Sequence, residues 1–270
     1  MRLERRGSLF ATFSLGNLTV TALSDGNADM ETSCLKGQNG APAPLAVLSE
    51  AGLSGGRLRL QVNAFLIEAP DGNLLIDAGC SNAWRPTTGR IYDALDEARV
   101  SRSAIRSIAI THTHIDHISG LVMPDGTSTF PSAEAIFVPE NETALFAAES
   151  RLEIVAGLVQ PVKNGDMIGK HVTVEAAYGH EIGHSAFLVQ SGRDRLLVWG
   201  DIVHEPSVQF AHPEVTWEFD ADPSEATLTR ARLLERTSRE QLPVAGAHLA
   251  FPGIGHVRAA GEAFSFLPLI

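Results

Sequence analysis

The chain has 270 residues, 44% of them hydrophobic, and carries 32 acidic against 21 basic side chains for a net charge of −11. That length can bury one large core, and no linker or low-complexity stretch divides it, so a single domain over residues 1–270 is expected. The acidic balance, with no Lys/Arg cluster beyond Arg2, Arg5 and Arg6, argues against a nucleic-acid partner.

In chain order, the segment Leu9 to Val20 is broken by Thr12, Ser14, Gly16, Asn17 and Thr19 and lacks the apolar core of a signal peptide. No run approaches the roughly 20 apolar residues of a membrane span, so a soluble cytoplasmic protein that does not engage a membrane is expected. Leu18 to Leu23 reads as a strand. Ser24 to Gly56, rich in Gly and Pro, reads as a long irregular excursion that borders the active site or a dimer partner. Residues 1–57 are thus expected to form one strand and a cap or dimerisation segment. Its Cys34, like Cys80 further on, reads as a free thiol that packs as a small hydrophobe.

Leu58 to Glu68 and Asn73 to Asp77 are strand-like and joined by Pro70-Asp71-Gly72-Asn73, a hairpin signal that makes part of the sheet antiparallel. Further strands are expected at Ile105 to Thr111, Ala135 to Val138, His171 to Ala176, Ser185 to Gln190, Arg195 to Trp199 and Leu242 to Ala245. Helices are expected at Gly89 to Ala98, Asn141 to Leu152 and Pro223 to Glu240, the last with Asp222 as N-cap and Pro223 at its first position. Helices alternating with strands must cover sheet faces, which implies a layered α/β architecture with ligands at strand ends.

The most informative stretch is T-H-T-H-I-D-H-I-S-G, Thr111 to Gly120, which places His112, His114, Asp116 and His117 in one window after an apolar run. Three imidazoles and a carboxylate have no packing use together, whereas zinc, iron, cobalt or manganese takes such N and O donors. In an extended chain His112 and His114 point to the same side and can grip one metal. Asp116 and His117, on a turn entering a helix, would face a second. Three further polar residues end strands beside glycine: His180 in Y-G-H-E-I-G-H-S, Asp201 in W-G-D-I-V-H and His248 in A-G-A-H-L.

With these residues the chain resembles the metallo-β-lactamase superfamily, whose H-x-H-x-D-H signature is matched by His112, His114, Asp116 and His117. The resemblance implies a four-layer αββα sandwich with mixed sheets and two divalent metal ions, zinc first, with iron, cobalt or manganese as alternatives. It implies His112, His114 and His180 on the first metal, Asp116, His117 and His248 on the second, and Asp201 bridging. Asp77, in L-I-D-A-G, looks like the family's supporting aspartate. Longer blocks, L-G-N-L-T-V-T-A-L-S-D-G at Leu15 to Gly26, V-N-A-F-L-I at Val62 to Ile67, G-D-I-V-H at Gly200 to His204, V-Q-F at Val208 to Phe210 and A-G-A-H-L-A-F-P-G-I-G-H at Ala245 to His256, resemble the branch of methyl parathion hydrolase and related lactonases. Where many relatives read G-H-T-P-G-H, this chain has Gly179-His180-Glu181-Ile182-Gly183-His184.

A hydrolase follows from that resemblance: a metal-activated hydroxide would attack a small lactone (acyl-homoserine lactones included), aryl ester or organophosphate triester, with Asp116 or Asp201 shuttling the proton. A homodimer is implied by the same likeness. His184 and His204 read as groups supporting the ligands, His256 and Trp84 as pocket residues, and His171 and His212 as surface or structural histidines. Rival readings are a glyoxalase II-like thioesterase, a β-lactamase, a diiron redox module, and a degenerate metal-binding protein. The redox module is disfavoured because His114 stands where a glutamate would be expected.

Overall fold

The computed structural model describes residues 1–37, 40–261 and 263–269. The first third contains β1 (Arg2–Arg6), β2 (Phe10–Leu15), β3 (Leu18–Glu31), β4 (Leu35–Lys36), α1 (Leu45–Glu50), β5 (Arg57–Ala69), β6 (Gly72–Ile76) and α2 (Ile91–Ala98). The middle contains β7 (Ile105–Ala109), α3 (Ile115–Ile118), β8 (Ala135–Pro139), α4 (Thr143–Ala148), β9 (Val159–Val162), β10 (Met167–Ile168), β11 (Val172–Ala176), β12 (Ser185–Ser191) and β13 (Asp194–Val198). The last part contains α5 (Pro206–Gln209), β14 (Thr216–Trp217), α6 (Pro223–Glu240), β15 (Val244–Ala245), β16 (Ile254–Ala260) and β17 (Ala263–Pro268).

Two mixed sheets face each other. One has the order β1-β2-β3-β5-β6-β7-β8-β9, the other β10-β11-β12-β13-β15-β16-β17. Alternation along the strands explains the layering: Phe65 and Ile67 point between the sheets with Phe13, Val20, Val174, Phe187 and Val198, while Leu66 points outward to meet Ile91 and Leu95 of α2 and Phe146 of α4. On the far side Leu197 and Val244 pack against Leu233 and Leu234 of α6. The result is the αββα sandwich, with mixed sheets, that the resemblance implied. Truncating a fully buried ring such as Phe187 would cost about 3–5 kcal/mol.

α6 forms where the sequence places it because Asp222 accepts from Ser224 N and Glu225 N, both at 3.0 Å, and Pro223 needs no hydrogen-bond partner at the first position. Its buried face carries Ala226, Leu233 and Leu234 together with Thr229, Arg230 and Thr237. The expected hairpin is present, with Ala69 opposite Gly72 across the Pro70-Asp71 turn.

The excursion expected over Ser24 to Gly56 is corrected over much of its length. β3 runs on to Glu31, paired with β5 as far as Arg57. Its turn-rich composition serves a bulge at Ser24/Gly26, where the register shifts. Buried there, Asp25 accepts from Cys80 N at 2.8 Å, Gly89 N at 3.1 Å and Ile91 N at 2.8 Å, tying the strand to the start of α2. Beyond it, β4 pairs with β14 in a small third sheet, and α1 follows; positions 38 and 39 lie outside the described residues. The helix expected from Asn141 to Leu152 is broken at Glu149, with α4 flanked by 3-10 turns. β1, β2, β4, β9, β10, β14, β16 and β17 were not anticipated.

Candidate metal centre

β6, β7 and β8 are mutually parallel, and β11 and β13 run alike because both pair antiparallel to β12, with β15 parallel to β13. The loops after β6, β7, β11, β13 and β15 therefore emerge together, at the carboxyl ends where such sheets place ligands. They deliver Asp77, the His112 to His117 window, His180, Asp201 and His248. β7 stops at Ala109, so His112 and His114 stand on the following loop rather than on a strand end. Their rings nonetheless lie 4.6 Å apart between centroids. His114 caps α3, whose first turn carries Asp116 and His117.

Seven expected ligands come together in two groups. His112, His114, His180 and Asp201 form one and Asp116, His117 and His248 the other, the ligand atoms within each lying no more than 4.8 Å apart. Asp201 Oδ1 is 3.2 Å from His117 Nε2, while its Oδ2 is 3.4 Å from His180 Nε2 and 2.9 Å from His248 Nε2. It reaches both groups.

Hydrogen bonds set the tautomers. His117 Nδ1–H donates to Asp77 Oδ2 at 2.8 Å, His180 Nδ1–H to Asp220 Oδ1 at 2.8 Å, His248 Nδ1–H to the carbonyl of Gln61 at 2.6 Å, and His114 Nε2–H to Glu181 Oε1 at 2.9 Å. Each ring's other nitrogen then offers a lone pair to the centre. The consequence decides whether a cation fits. His114 Nδ1 and His180 Nε2 are 3.1 Å apart, so with both rings neutral, as metal ligands must be, lone pair faces lone pair and only a cation can sit between them. His112 Nε2, His117 Nε2 and Asp201 Oδ1 are buried with no hydrogen-bond partner among the described residues. Orphaned acceptors converging in this way fit divalent metal held by N and O donors.

Electrostatics point the same way. Burial opposes charging His180, but hydrogen bonds and charge from Asp201 and Asp220 outweigh it and push its pKa up to about 9. Burial likewise opposes charging His117, and Asp201, Asp77 and Asp116 raise it well above the usual range. Burial would raise Asp201, yet the surrounding histidines hold it well below the carboxylate range. The carboxylates demand positive charge at this centre.

Of the supporting residues, Asp77 also accepts from Thr111 N at 2.8 Å, fixing the root of the loop. His184 donates from Nδ1 to Ala177 O at 2.9 Å and accepts Asp201 N–H on Nε2 at 3.0 Å, so it holds the backbone of Asp201. Gly200 permits that approach: at φ 57°, a Cβ there would sit 2.6 Å from His184 Nε2. His204 lies in the cavity wall, stacked on Trp217 at 4.9 Å and on His248 at 5.2 Å. Both its ring nitrogens are without a hydrogen-bond partner among the described residues, and burial pushes its pKa down to about 3, keeping it neutral.

The cavity over the centre has a volume of about 430 Å³. Its floor is His114, Asp116, His180, Asp201, His204 and His248, and its walls include Met30, Leu60, Trp84, Ile115, Trp217 and Phe219. Met30 belongs to the segment expected to border the site, and Trp84 stands where a pocket residue was expected. His256 does not. It lies on β16 opposite Leu267 and lines a separate groove with Ser238 and Arg258, because it stands within a paired strand and not in a loop over the centre. Cys34 and Cys80 are free and buried.

Sequence reasoning missed Asp220, Glu181 and Gln61. Asp220 sits in F-D-A-D-P two residues before the recognised N-cap, a place where a carboxylate has several uses. Gln61 contributes only its backbone carbonyl, for which no side-chain signal exists.

A mixed αββα sandwich with this His/Asp cluster at its strand ends defines a metal-dependent hydrolase. Residues 57–248 match the metallo-beta-lactamase superfamily, and the chain belongs to it. Among solved structures, the hydrolase AbOPH of the beta-lactamase superfamily superposes with a TM-score of 0.87 at 26% identity over 98% of both chains. AidC, a dizinc quorum-quenching lactonase solved with a product, shares the fold with a TM-score of 0.86 at 23% identity, over 96% of this chain and 97% of that one. The linear primary-alkylsulfatase of a Pseudomonas species is 29% identical over 164 residues, 60% of this chain. This chain spans only 27% of that protein's length. Among the described residues, no helix is long and apolar enough to cross a membrane.

Proposed function

We propose that the protein hydrolyses a small ester with an apolar acyl or aryl group, a lactone first, at a centre of two divalent metal ions, zinc being the first choice. The observation that carries this reading is the cavity, whose aromatic and aliphatic walls open directly onto the converging acceptor atoms. The neighbour AidC, a dizinc lactonase with N-hexanoyl-L-homoserine as product, supports the lactone class. Aryl esters and organophosphate triesters fit the same walls. A sulfate ester, suggested by the alkylsulfatase, fits less well, because Arg85 is the one Lys or Arg among the lining residues while Asp116, Glu149 and Asp201 are acidic. A small-molecule substrate without nucleic acid or membrane, a homodimer and a cytoplasmic location belong to the same proposal.

His112, His114 and His180 would hold one ion and Asp116, His117 and His248 the other, with Asp201 shared. When bound, such ions would lower the pKa of a water towards neutrality and polarise the substrate oxygen. The chain's own groups do the rest. Trp84, Trp217 and Phe219 orient the apolar group and exclude water. His204, neutral and with Nε2 3.3 Å from Asp201 Oδ2, lines the cavity where an N–H could reach a substrate oxygen as charge develops there. Asp116, whose Oδ2 lies 3.6 Å from His248 Nε2, is placed to pass a proton to the leaving oxygen.

Elemental analysis of the purified protein, with hydrolysis of an acyl-homoserine lactone, an aryl acetate and methyl paraoxon before and after chelation, tests the reading. Two metals per chain with chelator-sensitive lactone turnover is the expected result. Turnover confined to a thioester or a β-lactam would transfer it to a rival class, and metal-free inactive protein would overturn it.

A further inference from the structure

The turn between His180 and His184 carries a charge that the related G-H-T-P-G-H pattern lacks. Glu181 occupies the third position, and its backbone carbonyl accepts from Gly179 N at 3.3 Å and His184 N at 3.2 Å, so the turn is closed by the residue's own main chain. The side chain is left free to reach across to the other ligand loop. There Oε1 accepts from His114 Nε2 at 2.9 Å. His114 needs such a tether: its side chain is 32% exposed, while those of His112, His117, His180 and His248 are between 0% and 2% exposed. Deep packing holds those four rings, and it does not hold this one.

We propose that Glu181 is a positioning residue that acts through His114, pinning its Nε2–H so that the Nδ1 lone pair faces the centre and strengthening that nitrogen as a donor to one metal ion. The inference rests on the metal-centre reading above. Glu181 is absent from the residues that line the cavity, whereas His114 lines it, so the carboxylate stands behind the ring and away from substrate. A carboxylate on the far nitrogen of a ligating histidine fixes its tautomer and raises its basicity. His180 with Asp220 and His117 with Asp77 show the same arrangement within this cluster. The third such pair joins two loops, after β7 and after β11, that are distant in sequence and both supply ligands to the first group.

The test is zinc affinity, measured by competition with a chromophoric chelator, for the wild type, Glu181→Ala, Glu181→Gln and Ile182→Ala. In Glu181→Ala one of two bound ions is expected to weaken by about 10- to 100-fold while the other stays within about twofold of wild type. Glu181→Gln, which keeps an acceptor but not the charge, should fall between. Ile182→Ala, which alters an exposed side chain of the same turn, should match wild type. Wild-type affinity in Glu181→Ala, or equal weakening in Ile182→Ala, would overturn the proposal. A wild type that takes up no zinc would overturn the metal-centre reading as well, which separates the two failures.

Discussion

The two halves of the His/Asp cluster are built from the same kinds of donor but supported differently. In the half containing Asp116, His117 and His248, both imidazole side chains are 1% exposed, and they are oriented by buried Asp77 and a main-chain carbonyl. In the half containing His112, His114 and His180, one ring is open to solvent and two are oriented by carboxylates from other loops, Glu181 and Asp220. The difference teaches that a ligand can be fixed by burial or by a charged tether. The tethered half should exchange its metal faster, since opening it exposes fewer packed groups.

The largest effect is expected where the halves meet. Asp201→Asn removes the charge shared by both, and ester turnover should fall by about 10³-fold, with metal content reduced in both halves. Loss of a single metal, seen by elemental analysis, would show that the halves are independent. Next, His204→Phe keeps the stacks on Trp217 and His248 but removes both nitrogens, so kcat should drop about 100-fold with unchanged metal content. An unchanged kcat would confine His204 to packing.

Smaller effects separate the halves. Asp77→Ala and Asp220→Ala should each weaken zinc by about 10- to 100-fold, in different halves. Each also leaves a buried backbone N–H unpaired, Thr111 N in Asp77→Ala and Trp217 N in Asp220→Ala, costing about 1–3 kcal/mol in a denaturant melt of the metal-free protein. A wild-type melt in either variant would mean that its turn is held otherwise. Chelation of the wild type should lower stability by about 2.7 kcal/mol relative to free zinc at 100 times its Kd, and time-resolved release should be biphasic if the tethered half empties first. The smallest effect is expected away from the cluster. Burial, with Glu218 nearby, pushes the Cys34 thiol up to about 11, and burial raises Cys80 further. Thiol labelling of the native protein at pH 8 should therefore be slow, rising as pH approaches 11 for Cys34, and fast for both once unfolded.

Strands β5, β6, β8, β12 and β13 and helix α6 were legible because their periodicity and caps are local: alternation in Phe65-Leu66-Ile67, or Asp222-Pro223 opening a helix. β1 was not, since Arg2–Arg6 is exposed throughout and carries no apolar alternation. The extension of β3 was hidden because Asp25, Gly26 and Asn27 have turn composition; a bulge uses those residues to aim Asp25 inward. His256 was misread for the converse reason, the preceding Gly255 being part of a paired strand.

By itself the sequence determined the donor set: His112, His114, Asp116 and His117 lie so close along the chain that any compact fold brings them together, and their chemistry names a cation. The tertiary structure alone decided which distant groups complete them. His180, Asp201 and His248 arrive because parallel strands of two sheets end on one side, while His256, with as suggestive a glycine context, is carried away along β16. Only the structure assigned the tautomers, since a proton's place on an imidazole depends on whether Asp77, Asp220, Glu181 or a main-chain carbonyl lies within about 3 Å, and that contact is made by folding.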